Sequence, residues 1–196
     1  MSSLIKTSTA VSDEVLKAIA HIPTRSLASV IESEFFQRLS DRDFMRIGFW
    51  LAKKSYEEGG CPIGAVIIDN ASRQVLGKGH NTLVQESHPY NHGETSAIRD
   101  AGRVDFSRTT LFTTLSPCDV CATLIYARRF DRVVIGDVTN ASGNEELLRA
   151  RGVKVDIIED SEAIALYAAY RKEGPELDLE DWGGLAAVRR AGDVED

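Results

Sequence analysis

Two short stretches of this chain must meet in space if their side chains are to act together. The first reads Asn91-His92-Gly93-Glu94-Thr95 and the second Leu115-Ser116-Pro117-Cys118-Asp119-Val120-Cys121. His92 offers a ring nitrogen, and Cys118 and Cys121 offer thiolates, a donor set that suits tetrahedral zinc. Three protein ligands leave the fourth position for water, the layout of a catalytic site, whereas a structural site wants a fourth protein ligand. Glu94 stands two residues past the histidine, where a carboxylate can take and return a proton beside that water. Cys118 and Cys121 lie one helical turn apart, so a helix starting there turns both sulfurs toward one ion. Pro117 fits the entry of that helix. A Cys-x-x-Cys alone could be a redox pair. The ordered combination with His-x-Glu upstream and proline before the first cysteine favours the metal.

Taken in order, the chain alternates helix and strand. Ser12-Asp13-Glu14 caps a helix over residues 15–22 that Pro23 ends, and a second helix runs from Ser26 through Phe35, Phe36 and Leu39. Ser40-Asp41 caps a third, in which Phe44, Ile47, Gly48, Leu51, Ala52 and Tyr56 mark a buried face. Gly59-Gly60 stops it. A hairpin follows, with strands over 63–68 and 74–79. Residues 82–91 read as a loop whose His88 and Tyr90 either border a pocket or cover it. Helix 92–101, strand 109–114, helix 118–128, strand 132–135, helix 144–151, strand 153–158 and helix 161–172 complete the pattern. The expectation is a three-layer α/β/α sandwich around a five-stranded mixed sheet. Its ligands sit at the N-terminal ends of two helices, where exposed amides favour thiolate over thiol. Residues 1–40 read as an N-terminal helical extension and 41–196 as the zinc domain, closed by an amphipathic tail over 177–188 with Trp182 placed as a lid.

Charge and cysteine usage narrow the partners. With 23 basic and 30 acidic side chains, the net charge is −7, a poor balance for holding a polyanion. The Arg-Arg pairs at 128–129 and 189–190 read as solvated faces. No stretch has the apolar length of a membrane span and no apolar signal core opens the chain, so no membrane partner and a cytoplasmic location are expected. Three cysteines, two of them in the ligand set, do not make a disulfide framework, which fits a reducing compartment. Cys61, at a strand entry, reads as a small buried residue. His80 lies outside a ligand set that is already full.

From about residue 42 to 185 the chain resembles the cytidine-deaminase-like superfamily, and within it the fungal-type cytosine deaminases. The likeness rests on Tyr56-Glu57-Glu58-Gly59-Gly60-Cys61-Pro62-Ile63-Gly64, Gly77-Lys78-Gly79-His80-Asn81, His92-Gly93-Glu94 and Thr113-Thr114-Leu115-Ser116-Pro117-Cys118-Asp119-Val120-Cys121, with Val133-Val134-Ile135-Gly136 and Asp178-Leu179-Glu180-Asp181 also similar. The resemblance implies one zinc ion per subunit on His92, Cys118 and Cys121, with a catalytic water and Glu94 as proton shuttle. It implies that Asn81 holds the base by its ring edge, that the Gly93 amide helps hold the carbonyl, and that Asp181 accepts from the exocyclic amine. Ser116, Ile63 and Trp182 are expected to line the pocket. It further implies a homodimer with the active site near the subunit interface, a small heterocyclic base as ligand, and a place in pyrimidine salvage.

Two positions depart from that pattern. Where the family stacks an aromatic on the pyrimidine this chain has Ala141, and where it has a tryptophan before the tail aspartate this chain has Asp178. The expectation is therefore cytosine or a close analogue, with another small amino-substituted heterocycle, such as a modified pyrimidine, a purine or a pterin-like base, as the alternative. Guanine and tRNA adenosine deaminases share the zinc pattern but usually carry alanine where this chain has Gly93, and a tRNA enzyme needs a basic surface. A non-catalytic zinc module on the same scaffold is a different class. Zinc binding alone does not require Glu94.

Overall fold

The computed structural model describes residues 11–175, 177 and 178. Helices Asp13–His21 (α1), Thr24–Val30 (α2) and Ser33–Gln37 (α3) precede Asp41–Glu57 (α4). The helix expected over 26–39 is two, because Ile31 leaves the helical region (φ −131°, ψ 126°) to turn its side chain onto the core. α3 then restarts after Glu32. α4 opens on a reciprocal cap, as the start of a long amphipathic helix requires: Ser40 Oγ accepts from Asp43 N (3.3 Å) and Asp43 Oδ2 accepts from Ser40 N (2.7 Å).

Strands Gly64–Asp69 (β1) and Val75–His80 (β2) form the hairpin. The loop expected over 82–91 contains a short helix, Leu83–Glu86 (α5). Then come Gly93–Ala101 (α6), a 3₁₀ turn at Phe106–Arg108, Thr109–Thr113 (β3), Asp119–Ala127 (α7), Arg132–Ile135 (β4), Glu145–Ala150 (α8), Lys154–Ile157 (β5) and Ser161–Glu173 (α9). The five strands lie in the order β2-β1-β3-β4-β5. β1 is antiparallel to both β2 and β3, while β3, β4 and β5 run parallel.

Strand side chains alternate between faces, and both faces of the central strands are covered. Val66, Ile68, Phe112 and Val134 pack under α1 and α4 with Leu16, Ile19, Phe44 and Leu51. Ala65, Ile67, Leu111, Val133 and Ile135 pack under α6, α7 and α8 with Ala97, Ala122, Ile125 and Leu148. This is the three-layer α/β/α sandwich, and it explains why β1 and β4 read as continuous apolar runs. Gly64 marks a close approach of layers: a Cβ on it would lie 2.1 Å from Gly48 O and 2.6 Å from Ala52 N, so β1 and α4 touch backbone to backbone. Among the described residues no helix is long and apolar enough to cross a membrane.

The N-terminal helices are part of this packing, since Leu16, Ile19, Leu27 and Phe36 belong to the core under α4. Polar contacts tie them to β2, the edge strand. Lys78 Nζ donates to Ala20 O (2.8 Å), and Asp100 Oδ2 accepts from both Lys78 N (3.0 Å) and Thr24 Oγ1 (2.5 Å). Burial pulls the Lys78 ammonium down to about 8, against the opposing pull of Asp100. In the unfolded chain a lysine holds its proton to about 10.4. Between those values the unfolded chain binds more protons than the folded one, so this group makes stability rise with pH across that window. Lys78→Met keeps most of the buried stem and is expected to flatten that rise in urea melts taken between about pH 8 and 10. An unchanged slope would assign it to other groups.

Candidate active site

The register of the sheet gathers the site at one end. Gly64 faces His80 across β1 and β2, and Ala65 faces Thr113 across β1 and β3. The start of β1 and the ends of β2 and β3 therefore lie side by side, and the chain leaves them toward α6 and α7. Asn81 N donates to Ile63 O (2.8 Å), Ser55 Oγ to Asn81 O (2.7 Å), and Gly64 N to Thr114 Oγ1 (3.0 Å). On the other side Ser116 N donates to Asp137 O (2.9 Å) and Asn144 Nδ2 to Pro117 O (2.9 Å), which fixes the turn that carries Cys118.

His92 is the residue that caps α6 and Cys118 the one that caps α7, while Cys121 lies in the first turn of α7. His92 Nδ1 is 3.4 Å from Cys118 Sγ and 3.5 Å from Cys121 Sγ. The three ligand atoms lie within 4.8 Å of one another, and among the described residues these three form a group able to hold a metal ion. Their electrostatics fit a cation. A hydrogen bond from the Cys121 thiol holds Cys118 down to about 4 and pushes Cys121 itself well up. A metal bound here would take both sulfurs as thiolates. Glu94, second in α6, is buried at 2% exposure. Burial raises its carboxyl, the charge of Cys118 adds to the rise, and a hydrogen bond with Cys121 opposes it.

These groups open into one pocket lined by Cys61, Ile63, Asn81, His92, Glu94, Ser116 and Cys118. Sequence reasoning placed six of these seven in the site. It read Cys61 as a small buried residue; it is buried (1% exposed) and also faces the pocket. Asn81 lines the pocket, and its side-chain oxygen also accepts from Leu83 N (3.0 Å) to start α5. Gly93 stands behind the wall; a Cβ there would lie 3.0 Å from Ile63 O. His80 lies outside the ligand cluster, 3.2 Å from a Glu58 carboxylate oxygen. His88 and Tyr90 are exposed and neither lines the pocket. Ala141 is buried in the cluster that backs the ligands, with Leu115, Cys118, Cys121, Tyr167 and Tyr170. Asp178 is buried beside it, its Oδ1 accepting from Tyr167 OH (2.7 Å). The aromatic area near position 141 is thus supplied by tyrosines of α9. Asp181 and Trp182 lie outside the described residues.

The cytidine and deoxycytidylate deaminase zinc-binding region matches residues 39–137. The chain belongs to that family. Within this deaminase family it is 43% identical over 146 residues to a cytosine deaminase of Candida albicans, covering 73% of this chain and 97% of that one. It is 35% identical over 113 residues to a tRNA-specific adenosine deaminase of Haemophilus influenzae, covering 56% and 62%. A solved guanine deaminase from Nitrosomonas europaea shares the fold, with TM-score 0.60, 19% identity and coverage of 68% of this chain and 85% of that one.

Proposed function

We propose that this deaminase-family protein hydrolytically deaminates a small nitrogen heterocycle bearing an exocyclic amino group, with zinc held by His92, Cys118 and Cys121. The observation that carries this reading is a buried carboxylate, Glu94, opening into the same pocket as a His/Cys/Cys ligand cluster. A zinc module with no chemistry has no use for that burial, which costs free energy unless the charge is engaged.

Zinc bound at the three ligands supplies a hydroxide nucleophile near neutral pH. Glu94 takes a proton from the attacking water and passes it to the ring nitrogen next to the amino-bearing carbon. A C–O bond forms there. A second proton reaches the amine through Glu94, the C–N bond breaks, and ammonia leaves as the ring carbon becomes a carbonyl. Asn81, Ile63 and Ser116 hold the ring in the pocket, and the Gly93 amide at the start of α6 holds the carbonyl. Asp181 and Trp182 are proposed to complete the pocket from the tail.

The character of the pocket lining supports a small, flat substrate. Beside the ligands and Glu94 the pocket is lined by Cys61, Ile63, Asn81 and Ser116, an apolar wall with a few polar groups, which suits a free base. Cytosine is the first member to try, because the alignment with the Candida cytosine deaminase spans nearly its whole length. Ala141 and Asp178 keep the class wider, to modified pyrimidines, purines and pterin-like bases. On this reading residues 41–196 are the deaminase domain, 1–40 an extension, and the working unit a cytoplasmic homodimer acting on free bases, not nucleic acid. The zinc-loaded protein is expected to release ammonia from at least one free base in a panel of cytosine, substituted cytosines, guanine, adenine and aminopterins, and to act poorly on nucleosides. Silence across the panel would sink the reading, and the fastest compound would name the substrate.

A further inference from the structure

One wall of the pocket is held by Glu145, a residue that the mechanism above does not use. Ser116 is buried (2% exposed) and lines the pocket. Its Oγ donates to Glu145 Oε1 at 2.5 Å. Glu145 is the first residue of α8, 29 positions further along the chain, and is partly exposed. Its other oxygen accepts from Gly143 N (2.9 Å), so both ends of the carboxylate are fixed. The neighbouring Asn144 already latches α8 to the ligand turn, through Pro117 O (2.9 Å) and Asp119 Oδ1 (3.0 Å). Holding that turn in place therefore does not require Glu145 to reach Ser116.

The hydrogen-bond chemistry of the pair has one solution. An ionised carboxylate only accepts, whereas a serine hydroxyl has one proton and two lone pairs. Contact with Glu145 commits that proton, and a charge-assisted bond of this kind is about twice as strong as a neutral one. What Ser116 then offers the pocket is an acceptor.

We propose that Glu145 is a positioning residue for the substrate: by drawing the Ser116 proton out of the pocket, it makes Ser116 Oγ an acceptor for an N–H of the bound heterocycle. This rests on the deaminase reading above. The acceptor distinguishes the edges of a base. An amino group or ring N–H facing Ser116 is bound, while a carbonyl or an unprotonated ring nitrogen facing it is repelled, because two acceptors meet in a buried site. Ser116 and Glu145 together thus fix which way round the ring enters. Without Glu145 the hydroxyl can rotate and donate into the pocket, and that selection is lost.

The test is a double-mutant cycle on the zinc-loaded full chain, using Ser116→Ala, Glu145→Leu and the double variant. The readouts are KM and kcat for ammonia release from cytosine and from the fastest base of the panel, together with zinc content. Ser116→Ala and Glu145→Leu are each expected to raise KM about tenfold with kcat little changed and zinc retained, the pattern of a lost binding contact. The double variant is expected to be no worse than Ser116→Ala, because Glu145 acts through Ser116. If Glu145→Leu lowers kcat/KM by the same factor with or without the hydroxyl, or lowers zinc content, its role is structural and the proposal is overturned. A silent Glu145→Leu overturns it equally. If that variant does not fold, Glu145→Ala replaces it in the same cycle. Absence of turnover by the unaltered protein on every base would defeat the deaminase reading and this proposal together, whereas turnover with an additive cycle defeats only the role of Glu145.

Discussion

Glu94→Gln is expected to keep its zinc and to lose ammonia release by about 10²–10⁴-fold, the range in which a positioned proton-transfer group contributes. The carboxamide has nearly the shape of the carboxylate, so the packing at the start of α6 is preserved. What it lacks is an oxygen that can take a proton and give it back. None of the three ligand atoms belongs to Glu94, so metal content separates the two roles open to this residue. Metal analysis and a rate assay on the same preparation decide the matter. Zinc lost along with Glu94 would make it part of the ligand set. Turnover within a few-fold of the unaltered protein would remove it from the chemistry and leave a deaminase scaffold working by another group.

Gly64→Ala is expected to destabilise the fold by at least about 3 kcal/mol, the upper end of what overpacking usually costs. The added methyl would sit 2.1 Å from Gly48 O and 2.6 Å from Ala52 N. Both are backbone atoms of a helix that cannot rotate away as a side chain can. Relief requires α4 and β1 to separate, and that movement reaches the site, because Gly64 N donates to Thr114 Oγ1 and Ile63 lines the pocket. Gly48→Ala is the matched control on the facing helix. A Cβ there meets Thr114 Cγ2 at 3.5 Å and Gly64 O at 3.6 Å, which are ordinary contacts. Alanine also favours helix over glycine by about 1 kcal/mol, so Gly48→Ala is expected to be neutral or stabilising. Urea midpoints measured on the pair check the packing directly. Equal losses at the two positions would contradict the backbone contact at Gly64.

The ligands, the order of elements and the buried face of α4 were legible because each is a local pattern. His92, Glu94, Cys118 and Cys121 announce themselves by spacing, and Phe44, Ile47 and Leu51 by a helical period. The continuous apolar run of β1 could be read in the same way, and it fits a strand covered on both faces. Partner choice over long distances left no such mark. Nothing in Gly143-Asn144-Glu145 beyond a helix start says that its side chains reach back to Ser116 and Pro117. The break at Ile31 was hidden for a related reason: local propensity favours continuing the helix, and the gain from turning Ile31 onto the core outweighs it. α5 is too short to carry a period, and it is started by an asparagine oxygen that a turn would use in the same way. The tyrosines that back Ala141 come from α9, more than twenty residues further on.

His92 and Cys118 both occupy the capping position of a helix, and neither side chain makes the capping hydrogen bond that serine, threonine, asparagine or aspartate would make there. At these two positions heat tolerance and chemistry ask for different amino acids. A library of variants screened only for survival at high temperature should drift away from histidine at 92 and cysteine at 118, gaining robustness as it loses the ability to hold an ion. Consensus or stability-guided redesign of this fold should therefore leave the first residues of α6 and α7 untouched, since the substitutions that look most beneficial there are the ones that would disarm the protein.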